Sequence, residues 1–80
     1  MPRTEMPTDR PAAMLLHLGM LYCLGREIGR DYVAAQKWFT IAALMGSLEA
    51  KRQRSRISSQ MSAEQIAEAQ RQASAWLSLN

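Results

Sequence analysis

Residues 18–46, LGMLYCLGREIGRDYVAAQKWFTIAALMG, decide the fold. Leu15, Leu18, Leu21 and Tyr22 recur at three- and four-residue steps, which places them on one face of a helix. Gly19 lies inside that run, where a glycine costs about 1 kcal/mol relative to alanine. A glycine kept at such a place marks the close approach of another helix. Gly25 and Gly29 then interrupt the period, and Asp31 stands where an N-cap would stand. A second periodic run carries Ala35, Trp38, Phe39 and Ala42, with Ala43 and Met45 beside them. Gly46 follows it at the position expected of a helix C′ residue. The pattern predicts an antiparallel helical hairpin with a glycine-rich turn.

Leu18-Gly19-x-x-Tyr22-x-x-Gly25, then Asp31, then Ala35-x-x-Trp38-Phe39-x-x-Ala42-Ala43-x-x-Gly46 together resemble the Sel-one-like repeat, a relative of the tetratricopeptide repeat. The resemblance implies an α-hairpin of an α-solenoid and a protein-interaction scaffold without catalysis. One position departs from the family pattern. The second glycine, two residues after Gly25, is Glu27 here, with Ile28 in the usual apolar place, which leaves Gly29 to supply the left-handed conformation. A shift of 36 positions tests for another copy. Met14, Leu18, Gly19 and Tyr22 become Ala50, Arg54, Ser55 and Ser58, so only the alanine remains of the family type. A second repeat begins and loses its signature.

Outward from the hairpin, residues 1–10 carry Pro2, Pro7 and alternating charges and read as a flexible arm. Residues 11–80 read as a single all-α domain of about four helices, at about 11–24, 32–45, 47–57 and 63–79. Pro11 suits a first helical turn, where its missing N–H has no partner to lose. Ser62-Ala63-Glu64-Gln65 is a capping-box pattern. The helix after it has a thin stripe, Ile66, Ala69, Ala73, Trp76 and Leu77, anchored mainly by Trp76, Leu77 and Leu79. The last two helices read as a degenerate repeat turned C-terminal cap.

Eighty residues allow one small core. No run approaches the roughly 18 apolar residues that span a bilayer, so membrane association is expected only peripherally, through a partner. MPRTEMPTDRP lacks the apolar core of a secretion signal, and Cys23 is alone, which together favour the cytoplasm. The net charge of +3 permits an acidic partner, a membrane surface or nucleic acid and selects none of them.

His17 and Cys23 stand six residues apart on different faces of the first helix, and one histidine with one cysteine does not make a zinc site. With no paired carboxylates and no phosphate loop, no catalytic residue, metal or cofactor is expected. Trp38 and Phe39 read as core aromatics touching the first and third helices, and Tyr22 as a packing residue. Lys51-Arg52-x-Arg54-x-Arg56 is the one charge cluster; Arg52 and Arg56 share a face, and Glu49 can pair with Arg52. Leu16 and Met20 lie opposite Leu15 and Leu18, which makes the first helix apolar nearly all round. One hairpin and a cap cannot surround such a helix, so another chain is expected to cover part of it. The expected contacts are Leu16 and Met20, the basic residues Lys51, Arg52 and Arg56, and the N-terminal arm. The function that follows is a small non-catalytic interaction module, an accessory or adaptor subunit on a larger protein assembly or a self-associating one. The alternative is a basic module binding nucleic acid or an anionic surface through residues 51–56.

Overall fold

A computed structural model describes residues 9–25 and 29–79 of the chain, without the side chains of Asp9 and Arg10. Residues 1–8 of the expected arm, and Glu27 and Ile28 of the turn, lie outside the described residues. Four helices follow in order: α1 (Asp9–Leu24), α2 (Tyr32–Leu44), α3 (Leu48–Ser58) and α4 (Ala63–Leu79), with no strand among the described residues. The fold is all-α, as the periodicity requires. α1 begins two residues before Pro11, which still falls among the first four residues, whose N–H groups have no intrahelical acceptor.

The ends of the helices are built from the residues that the sequence marks for them. The Asp31 carboxylate accepts from the Ala34 N–H at 3.1 Å and caps α2. At the other end, Gly46 takes φ +108°. Its N–H donates to Ala43 at 3.0 Å, and the Ser47 N–H reaches back to the Ala42 carbonyl at 2.9 Å. Ser47 then caps α3, its hydroxyl accepting from the Ala50 N–H at 3.0 Å. α4 starts with both halves of the capping box: Gln65 N–H to Ser62 Oγ at 3.0 Å and Ser62 N–H to Gln65 Oε1 at 2.9 Å. In the first turn, Gly25 takes φ +69°, and a Cβ there would lie 2.5 Å from the Arg30 backbone nitrogen. Gly29 is also left-handed, at φ +81°. The Asp31 N–H closes this turn by donating to the Tyr22 carbonyl at 3.0 Å.

Pairings along the chain establish the directions. Asp31 meets Tyr22, Phe39 lies against Gly19, and Met45 and Gly46 share a hollow with Pro11, so α1 and α2 are antiparallel. The Gln36 amide donates to Ser58 Oγ at 2.7 Å and the Tyr32 hydroxyl to Gln60 at 3.3 Å, so α2 and α3 are antiparallel too. Phe39, Ala35, Ala42, Ala50, Ile57 and Cys23 form the core cluster. Gly19 admits Phe39: a Cβ at that position would fall 2.6 Å from the ring.

α2 is the central element, packed against α1, α3 and α4. The last two helices therefore cap α2, and do not pack along one another. Trp38 departs from its expected place for this reason. It meets the Trp76 ring of α4 edge-on, with centroids 5.8 Å apart and planes at 82°, while Phe39 lies against Gly19 of α1. Ala69 and Ala73 are buried in α4, and their small size lets it settle closely on the core.

Candidate docking face

From Pro11 to Leu24 the chain reads PAAMLLHLGMLYCL, without a single Asp, Glu, Lys or Arg. Ala12, Gly19 and Cys23 are the buried residues of this helix and define the line that meets the rest of the fold. At about 100° per residue, Met14, His17, Leu18 and Leu21 fall on the far side of that line, with Met14 and His17 exposed and Leu18 and Leu21 half-buried. Met14 is 69% exposed and Leu24, at the end of the same helix, 52%. An open hollow of about 460 Å³ lies along Ala13, Met14, Leu15, His17 and Leu18. A second, of about 480 Å³, is lined by Pro11, Leu44, Met45 and Gly46. Pro11 and Met14 are one turn apart, so the apolar surface continues from α1 onto the corner between α2 and α3, where Leu44 and Leu48 stand 66% and 62% exposed.

The expectation that Leu16 and Met20 point outward is corrected. Both are half-buried and pack against the core cluster, as Leu15 and Tyr22 do on the other flank. The reason is geometric. Helices approach most closely where the side chains are smallest, so Ala12, Gly19 and Cys23 set the inward direction. Leu16, four residues from Ala12, then lies only about 40° from it. Large residues occupy the flanks and the outside. Met14, Leu44 and Leu48 were not singled out by the periodicity; for Met14 the uncharged run from Pro11 to Leu24 was the available signal, and for Leu44 and Leu48 there was none.

Lys51, Arg52 and Arg56 are exposed on α3. Much of that face is bonded along its own helix. Arg52 pairs with Glu49 at 3.3 Å, and Gln53 donates to the other Glu49 oxygen at 2.7 Å. Arg56 donates twice to Gln53 Oε1, at 2.9 and 2.6 Å, and approaches Cys23 Sγ at 3.5 Å. The Gln53 amide and then Arg52 hold the Glu49 carboxyl below its ordinary pKa.

His17 is exposed on the outer side of α1, whereas Cys23 is 6% exposed within the core. Among the described residues, no three of His, Cys, Asp and Glu come together as metal ligands, and no helix is long and apolar enough to cross a membrane. The other signature residues have structural tasks: Asp31 caps, Gly25 and Gly46 turn, Gly19 admits Phe39, and Ala35 and Ala42 are buried with Tyr22 and Ala43 against the cluster. Leu18 is the exception: it is half-buried and lies outside the core cluster. Comparison with known protein families, with curated proteins and with solved structures brings up no match to this chain.

Proposed function

We propose that this chain is a small non-catalytic interaction module of the Sel-one-like type, which docks as an accessory or adaptor subunit through the outward face of α1. The observation that carries the reading is the uncharged outer surface of α1, with Met14 its most exposed large apolar side chain and the surface continuing to Leu44. Scattered exposed leucines are ordinary, but a continuous strip marks a contact site. Covering a Met or Leu side chain contributes about 1.5–3 kcal/mol, so a partner covering this strip gains several such terms. Repeat hairpins also gain stability from neighbours, with about three repeats needed for an independent array. The lone thiol of Cys23 fits a cytoplasmic setting.

The exposed Lys51, Arg52 and Arg56 support a second reading, binding to nucleic acid or another anionic surface. One experiment separates the two: recovery of the tagged protein from its own cell extract at low and high salt, with and without nuclease. The docking reading expects a stoichiometric protein companion that survives both treatments and is lost on Leu18→Glu or Met14→Glu. A nucleic acid companion lost in high salt, unaffected by those substitutions and abolished by Arg52→Ala with Arg56→Ala, refutes it.

A further inference from the structure

The geometry points to a second copy of this chain as the occupant of the α1 face, the two helices lying antiparallel across a two-fold axis between residues 17 and 18. This rests on the reading of that face as a docking surface and names its partner. Three features of the molecule lead there.

The first is charge. The chain carries a net +3, and its α3 face shows Lys51, Arg52 and Arg56 to solvent. Two copies meeting through α3 would oppose like charges, which disfavours that contact. Between Pro11 and Leu24 there is no Asp, Glu, Lys or Arg. The stretch of α1 from Pro11 to Leu24 is therefore a surface on which two copies of a basic protein meet without repulsion.

The second is spacing. Pro11, Met14, His17, Leu18, Leu21 and Leu24 are symmetric about the midpoint of residues 17 and 18. An antiparallel copy sets 11 opposite 24, 14 opposite 21, and 17 opposite 18, so each apolar side chain except Leu18 faces another. Leu18 faces His17. A two-fold contact must be self-complementary in this way. Steps of three and four residues also suit the shallow left-handed crossing of paired helices, and opposed helix dipoles favour the antiparallel sense.

The third is size. α1 has 16 residues, about 24 Å of helix, and the strip covers most of it. One helix pair buries less than the roughly 1,600 Å² of a standard interface, so dissociation constants in the micromolar range are expected.

Sedimentation equilibrium of the full chain, from about 1 to 500 μM to bracket a micromolar constant, reads this directly. The mass should rise from 9.0 kDa toward twice that value. Leu18→Glu, beside the axis, should hold the chain at monomer mass with its helical circular dichroism intact. Two double variants test the pairing itself. Met14→Glu with Leu21→Lys sets opposite charges across both ends of the axis and should still dimerise, now with salt sensitivity. Met14→Glu with Leu21→Glu sets like charges there and should dimerise about 100-fold more weakly or not at all. A wild-type chain that stays monomeric throughout overturns self-association, as does equal behaviour of the two double variants. If that monomer still loses a protein companion from extract on Leu18→Glu, only the identity of the partner falls. If the substitution changes nothing in either assay, the docking reading falls with it.

Discussion

Replacing Gly19 by alanine tests the packing of the hairpin with two opposing magnitudes. Alanine is the better helix former, so at an open position the change would stabilise α1 by about 1 kcal/mol. Here the added Cβ falls 2.6 Å from two carbons of the Phe39 ring and 3.2 Å from a third. Ordinary contact begins near 3.4 Å, so the ring must retreat by most of an ångström. Phe39 has no exposed surface, and Ala35, Ala42, Ala50 and Ile57 are buried around it, so it has nowhere to go. Overpacking of this kind costs about 1–3 kcal/mol. The propensity gain offsets part of that, which leaves a net loss of about 1 kcal/mol. For a chain of this size that lowers the midpoint of thermal unfolding by about 4–8 °C. Thermal melts followed by circular dichroism suffice, and Phe39→Leu supplies the control. In that background the smaller side chain leaves room, so Gly19→Ala should become neutral or stabilising, with a coupling of about 1 kcal/mol between the two sites. A wild-type background in which Gly19→Ala raises the midpoint would refute the close approach.

The T-shaped pair Trp38–Trp76 should be the main clasp of α4. Trp76→Ala is expected to cost about 2 kcal/mol, less than a fully buried aromatic because Trp76 is half-exposed. Hydrogen exchange should then quicken along α4 while amides near Phe39 keep their protection; uniform loss across all helices would contradict this. Glu49 offers a test in pH. Its carboxyl is held below the ordinary value of 4.5, first by Gln53 and then by Arg52. A depressed folded value means stability that is present above 4.5 and lost as pH falls through the folded value. Glu49→Gln should therefore melt below wild type at pH 7 and level with it at pH 3. A gap that persists in acid would show that the carboxylate charge is not its source.

Helix ends were the most legible part of this chain. Asp31, Gly46 and the Ser62–Gln65 box each act through one local hydrogen-bond pattern, which the residue type nearly determines. Helix existence followed from period, and Ala35, Phe39 and Ala42 of the buried side of α2 followed with it, whereas the buried Gln36 and Ile41 carried no signal that marked them. Direction around α1 did not. A helix apolar on every side carries no moment to say which side turns inward, and size in place of polarity decided it: the line of Ala12, Gly19 and Cys23 won over the leucines. Leu16 and Met20 were misplaced for that reason, and Met14 was passed over. The partner of Trp38 was equally hidden. Nothing local in Ala69 and Ala73 announces that α4 will cross to α2 and not lie along α3; that choice is made by the long-range fit of two tryptophans.

Ser47 serves two helices at once, its N–H ending α2 and its hydroxyl beginning α3. Every bond of that corner joins residues five or fewer apart. Closing so short a loop takes well under a microsecond; the α1–α2 turn, closed between Asp31 and Tyr22 nine residues apart, is the next longer, and α4 must come back past α3 to reach α2. The corner is thus suited to organise the earliest stage of folding, with α2 and α3 growing away from it as a pair. In kinetic terms, substitutions at Gly46 and Ser47 should slow refolding, and those at Trp76 should chiefly hasten unfolding. The outer helices would then be the last to arrive and the first to leave, including α1, the helix proposed to meet a second molecule.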